Sequence, residues 1–226
     1  MDNGTQQKLH VIVTGATGMV GEGVLQEALE SEAVEKVLVI NRKPCGILHS
    51  KLSEVIHDNF FDLTPIADLL RPYDACFFCL GVSSVGKKEP EFYRLTYTLT
   101  LHVATLLSQL NPQMTFCYIS GAGTDSSENG KMMWARVKGK TENALKKLPF
   151  KKVYHFRPCI LQPTPGLKNT LPYYRYINWL LPVVNMLAPK YISTLKELGK
   201  AMITTASKGY EKDVLEVADI KKAAGV

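Results

Sequence analysis

The sequence predicts an α/β fold: a doubly wound parallel sheet with helices on both faces. Three observations predict it. Apolar runs rich in β-branched residues recur along the 226 residues, as buried strands require. Helix-competent segments separate those runs, and parallel strands need such crossovers. The first run passes straight into Gly15-Ala-Thr-Gly18-Met-Val-Gly21 and then into a helix-forming stretch.

Taken in order, the first strand covers 11–14 and the helix after the glycine turn covers 21–31. Glycine tolerates positive φ and lets a ligand approach the backbone. The helix presents unpaired N–H groups and the positive end of its dipole to an anion. A pyrophosphate-bearing cofactor is the natural occupant, because strand, turn and helix supply the context that a dinucleotide fingerprint needs. The alternative is a tight turn whose glycines serve packing alone. The second strand, 36–40, ends in Asn41-Arg42-Lys43-Pro44. An acidic residue in this region would bond the ribose hydroxyls of NAD. Cations stand there instead, and a guanidinium or ammonium suits a 2′-phosphate. Arg42 and Lys43 therefore favour NADP over NAD; the bland alternative is a surface basic pair.

The third strand, 54–58, leads through Asp58-Asn-Phe-Phe-Asp62-Leu63 to a short helix at 66–70. Asp62 in that turn is suited to capping the helix. The fourth strand, 75–80, contains Cys76 and Cys79. Residues three apart in a strand face opposite ways, so the two thiols diverge and read as buried and inert rather than as a metal pair. A helix over 91–109 carries Tyr93, Tyr97 and His102. The fifth strand, 115–120, opens into Gly121-Ala-Gly-Thr-Asp, and a helix over 132–148 carries Trp134, Arg136 and Lys138. Arg136 and His102 read as helix-surface residues. A sixth strand covers 152–157, and a last helix 196–207. From Gln162 onward Pro163, Pro165 and Pro172 interrupt, and aromatics cluster as Tyr173-Tyr174-Arg-Tyr176-Ile-Asn-Trp179.

Thr14-Gly-Ala-Thr-Gly-Met-Val-Gly21 resembles the TGxxGxxG fingerprint of the extended and atypical short-chain dehydrogenase/reductases, a Rossmann-type family. Trp134-Ala-Arg-Val-Lys138-Gly-Lys-Thr-Glu, with Phe156-Arg-Pro158, resembles a small atypical subgroup of Tat-interacting-protein-like NADP-binding proteins and epimerase-like relatives. The resemblance spans nearly the whole chain. It implies that Gly15, Thr17, Gly18, Met19, Val20 and Gly21 cradle the cofactor. It places Asp62 and Leu63 at the adenine, Leu80 and Gly81 beside the adenosine ribose and diphosphate, and Pro158 and Ile160 at the nicotinamide amide. It also implies residues 1–226 as a single NAD(P)-binding domain, with 162–195 as the substrate-side segment. The late aromatics either line that segment or cover the end of the sheet.

The resemblance further implies a catalytic Ser, Tyr and Lys. Ser120 and Lys138 fit by place, with Ser120 polarising a substrate oxygen and Lys138 holding the ribose. Trp134 stands where the tyrosine belongs, and an indole N–H donates a hydrogen bond but has no acid–base chemistry near neutral pH. Tyr93, Tyr97, Tyr173, Tyr174 and Tyr176 read either as packing aromatics, the favoured reading, or as alternative proton carriers. Two functions follow as expectations. One is a reductase- or epimerase-like oxidoreductase acting on a small carbonyl or alcohol, its proton moving through a ribose hydroxyl, Lys138 and water. The other is a non-catalytic NADP(H)-binding sensor acting through a protein partner.

Composition bounds the rest. The chain is 46% hydrophobic and 21% charged, with 27 Lys and Arg against 21 Asp and Glu. That balance is ordinary for a globular protein. The formal charge of +6 is spread along the sequence, and an anionic cofactor accounts for it as well as nucleic acid would. The polar first residues lack a signal-peptide core, and the apolar stretch 177–188 is too short to span a bilayer. The expectation is a cytoplasmic protein with five free cysteines, no metal, and no membrane or nucleic-acid partner. A homodimer is compatible with the sequence.

Overall fold

The computed structural model describes residues 7–170 and 189–226. Tyr173, Tyr174, Tyr176, Trp179 and the apolar stretch 177–188 lie outside the described residues.

Seven parallel strands form one sheet in the order β3-β2-β1-β4-β5-β6-β9. They are β1 (Leu9–Thr14), β2 (Val34–Asn41), β3 (Leu52–Ile56), β4 (Ala75–Phe78), β5 (Thr115–Ile119), β6 (Lys152–Arg157) and β9 (Val214–Glu216). Strand alternation divides the core. Val11 and Val13 point into one apolar cluster while Ile12 points into the other. The first cluster is covered by α1 (Met19–Glu30), α6 (Leu195–Lys208) and α7 (Val217–Ala224). The second is covered by α2 (Ala67–Leu70), α4 (Leu99–Leu110) and α5 (Met133–Leu145). Burial on both faces is why the central strands β1, β4 and β5 read as near-continuous apolar runs. Cys76 belongs to one cluster and Cys79 packs against the other, so the thiols do diverge. Burial raises the pKa of both.

The strand order runs outward from β1 to β3, then returns to place β4 on the other side of β1. Such a reversal opens a crevice at the carboxyl ends of the strands. The glycine turn after β1 and the loop after β4 meet there.

Several boundaries depart from the sequence expectation. The fourth strand stops at Phe78, leaving Leu80 and Gly81 in the loop beyond it. The helix expected over 91–109 comprises α3 (Glu89–Tyr93), a π-helical turn at Arg94–Thr98, and α4. Three short strands and α7 were not anticipated: β9 adds to the sheet edge beside β6, while β7 (Ile160–Gln162) and β8 (Ile192–Thr194) form a separate parallel pair. Strands of three residues carry too little alternation to register as a period. Among the described residues no helix is long and apolar enough to cross a membrane.

Candidate active site

The glycine turn is shaped by close approach. Gly15 has φ +73°, and a Cβ on it would lie 2.9 Å from the Cys79 carbonyl oxygen at the end of the neighbouring strand. A Cβ on Gly21 would lie 2.1 Å from the Gly15 carbonyl oxygen, so only glycine lets α1 start against the turn. The Gly15 carbonyl accepts the Gly18 amide at 3.0 Å, and Gly18 caps α1 without a side-chain hydrogen bond. The first amides of α1, at Met19 and Val20, therefore have no acceptor within the helix. Thr14 Oγ1 and Asn41 Oδ1, at the carboxyl ends of β1 and β2, are buried and have no hydrogen-bond partner among the described residues. The turn thus fits the pyrophosphate of a dinucleotide: open helix amides, a backbone cleared of side chains, and the Thr14 hydroxyl left unanswered beside it, while the Asn41 Oδ1, an acceptor, suits a ligand hydroxyl instead.

A cleft of about 590 Å³ adjoins the turn, lined by Thr17, Arg42, Lys43, Pro44, Cys45, Lys168 and Asn169. The Glu54 carboxylate of edge strand β3 shapes the loop that carries the cations, accepting Asn41 Nδ2 and the Cys45 amide at 2.9 Å each. Lys168 is a third cation, from the distant segment after β7, and the sequence reading missed it. A lone lysine in a proline-broken stretch carries no positional signal.

Asp62 is exposed, and its Oδ1 accepts the Thr64 amide at 3.0 Å in a local turn, while the N-cap position of the 3-10 turn Thr64–Ile66 falls on Leu63 rather than on Asp62. The Leu63 side chain is buried in the core, so what it offers a ligand is its backbone. Leu80 is half-buried, and a Cβ on Gly81 would meet nothing within 4 Å, so open space lies before it. The Pro158 carbonyl accepts the Ala122 amide at 2.8 Å, and Ile160 opens β7, paired with Ile192 of β8.

Ser120 follows β5 where expected; it is only 1% exposed, and its hydroxyl points inward. Its Oγ donates to Glu142 Oε1 at 2.5 Å, with the Phe156 carbonyl at 3.3 Å. Glu142 is fully buried and gripped by Arg157, whose Nε donates to Oε1 at 3.0 Å and Nη2 to Oε2 at 2.5 Å. Burial pushes the Glu142 carboxyl up, but the Arg157 guanidinium and the Ser120 hydroxyl outweigh it and hold the pKa below its ordinary value. Neither Glu142 nor Arg157 was singled out from sequence, because a Glu in a helix reads as solvated until its burial is seen.

The Lys138 ammonium donates to the Ser120 backbone carbonyl. Desolvation lowers its pKa to about 8, with Glu142, one turn along the same helix face, pulling the other way. Trp134 shares that face one turn earlier, half-buried with its indole edge against Gly123. Arg136 and Lys140 lie on another face, since two residues turn a helix by about 200°. Arg136 Nη1 holds the Gly130 and Lys131 carbonyls at 2.8 and 3.0 Å, and Nη2 pairs with Glu89 at 2.9 Å, so it pins the loop before α5. Lys140 stands over both Tyr93 and Tyr97, whose rings lie 4.7 Å apart. Those tyrosines thus pair with Lys140 on the flank of α5, turned away from Lys138. His102 packs edge-on against Phe61 at 5.9 Å.

A family model described as the NAD dependent epimerase/dehydratase family matches residues 11–133. Protein HTATIP2 of Rattus norvegicus is 27% identical over 157 residues, covering 69% of this chain and 64% of that protein. The mitochondrial protein FMP52 of Candida glabrata is 30% identical over 157 residues, covering 68% and 64%. The matched stretch thus spans less than two thirds of these relatives. Among solved structures, the Bordetella bronchiseptica enzyme WbmF in complex with NAD+ superposes with a TM-score of 0.66 at 15% identity, covering 97% of this chain and 78% of that one. The UDP-glucuronic acid 4-epimerase of Bacillus cereus in complex with NAD gives 0.64 at 14% identity, covering 92% and 77%. At such identities the likeness is one of fold.

Proposed function

This chain belongs to the NAD dependent epimerase/dehydratase family, and from that premise we propose that it binds NADP(H) and acts as a reductase- or epimerase-like oxidoreductase on a small carbonyl or alcohol. One observation carries the cofactor: the glycine turn that leads into α1 borders, through Thr17, a cleft lined by Arg42, Lys43 and Lys168. The Met19 and Val20 amides receive the pyrophosphate, and Arg42 and Lys43 receive the 2′-phosphate, the guanidinium by paired hydrogen bonds. Solved neighbours are described with NAD; the preference for the phosphorylated form rests on the cations after β2.

When bound, the cofactor supplies a site that takes or gives a hydride. Lys138 holds the ribose side and, with a pKa near 8, exchanges the proton that a tyrosine would carry. Trp134 shields that face with its indole. Ser120 fixes Lys138 through its carbonyl; for its hydroxyl to polarise a substrate oxygen, it must exchange Glu142 for that substrate.

The inward Ser120 hydroxyl and Trp134 also favour a second reading, a cofactor-binding sensor without turnover. Calorimetry on ligand-free protein, NADPH against NADH, tests the shared premise. Tighter NADPH binding by at least about tenfold, one charge-assisted contact, is expected; equal or absent binding sinks the cofactor assignment. A Trp134→Tyr variant then separates the readings. Reductase activity gained on generic carbonyls marks a scaffold competent for turnover, and continued silence favours the sensor.

A further inference from the structure

Glu22 is a buried carboxylate in the first turn of α1, 5% exposed, beside the amides that would meet a diphosphate. The helix dipole favours an anion at this end, yet the same end must receive another anion, so the acid works against the ligand unless it is engaged elsewhere. It is engaged. Its Oε1 accepts the Lys168 amide at 2.9 Å and its Oε2 accepts the Asn169 amide at 2.7 Å. Between them these bonds tie residue 22 to a strap nearly 150 positions away in sequence. Leu167 anchors the same strap by packing against the core of the α1 face. With its backbone held on both sides, the exposed Lys168 side chain joins Thr17, Arg42 and Lys43 around one cleft.

We propose that Glu22 and Lys168 form the second half of a 2′-phosphate clamp: Glu22 is a positioning residue that fixes the strap, and Lys168 is the cation that the strap delivers across the cleft from Arg42 and Lys43. The proposal rests on the NADP(H) reading above. It adds a specificity residue from the segment after β7, and it gives the buried Glu22 of α1 a function. Two carboxylate-to-amide bonds define the strap's position better than apolar packing alone, because both oxygens are directed at successive N–H groups.

The test uses fragments without nicotinamide, 2′,5′-ADP and 5′-AMP, titrated by calorimetry into the full-length chain and its variants. The wild type is expected to bind 2′,5′-ADP at least about tenfold tighter than 5′-AMP, in keeping with charge-assisted phosphate contacts. Lys168→Met removes an exposed charge without disturbing the core, and should cut that ratio by about tenfold while leaving 5′-AMP affinity within about twofold. Glu22→Gln keeps one acceptor but sets an NH2 against the other amide. It should lower the same ratio, again with little effect on 5′-AMP. A selective wild type whose ratio is unchanged in Lys168→Met overturns the clamp while leaving the cofactor reading intact. Loss of both ligands in equal measure in Glu22→Gln overturns the positioning role, since a merely structural acid would behave that way. A wild type that does not distinguish the two fragments overturns the NADP(H) reading, and the clamp with it.

Discussion

The chemistry of this site turns on which single groups can move a proton. Tyr118 lies two positions from Ser120, but it is buried against Phe78 and His155, and burial pushes its phenol up. Tyr93 and Tyr97 are committed to Lys140. Lys138 remains on the face of α5 that the family resemblance assigns to the cofactor, and desolvation brings its pKa down to about 8. If Lys138 donates the proton in carbonyl reduction, the rate depends on its charged form. Activity then holds below pH 8 and falls as pH rises through it; in alcohol oxidation the dependence reverses. Lys138→Met should remove this ionisation from the pH–rate profile and lower turnover by about 10²-fold or more. A variant that keeps the wild-type profile would assign the proton to another group. The place of Lys138 on the helix after the fifth strand was legible from sequence, since strand and helix are both long enough to read. The inward turn of Ser120 was not, because it depends on a partner 22 positions away.

At the scale of elements, α5 is bound to β6 by one charge pair. Glu142 on the helix and Arg157 at the strand end share two hydrogen bonds, and Arg157 reaches on to Ser126 at 2.7 Å and Glu216 of β9 at 3.3 Å. Removing one partner of a buried pair leaves an uncompensated charge and typically costs about 3–5 kcal/mol. Glu142→Gln should therefore lower stability to urea by about that amount, and it should weaken the hold on the Ser120 hydroxyl. A loss under about 1 kcal/mol would mean that Arg157 is satisfied by Ser126 and Glu216 alone. The major strands and helices were readable because their apolar period is long enough to count. Lys152–Arg157 was placed to the residue, since its apolar centre is flanked by charges. Strands β7, β8 and β9 were not, because three-residue strands are defined by their neighbours. The capping box of Thr194 and Glu197 that starts α6 is a local signal already present in the sequence.

Across the whole molecule, the reversal of strand order between β1 and β4 gathers the glycine turn, the Leu80–Gly81 loop and the cation cleft at one end of the sheet. That end is legible in the sequence through the glycine spacing and the cations after β2, which are local features. What joins the two halves of the sheet is not, because such contacts exist only after folding. Within the half that holds β5 and β6, one buried histidine gives the fold an expected sensitivity to acid. His155 on β6 is fully buried, neither ring nitrogen has a partner among the described residues, and it lies edge-on to Tyr118. Desolvation lowers its pKa from 6.5 to about 4, with Glu142 opposing. The unfolded chain therefore binds a proton that the folded chain refuses between those values. Stability is complete above pH 6.5 and falls as pH drops toward 4, by about 3 kcal/mol from this group. A His155→Phe variant keeps a flat ring against Tyr118 and removes two unpartnered nitrogens. It should be at least as stable as the wild type at pH 7, and its urea midpoint should change little between pH 6.5 and 5, where the wild type declines. At pH 5 carboxylates near their ordinary pKa remain largely ionised, so the comparison isolates the histidine. Should the variant decline as steeply as the wild type, the acid sensitivity belongs to another group and His155 is an inert core ring.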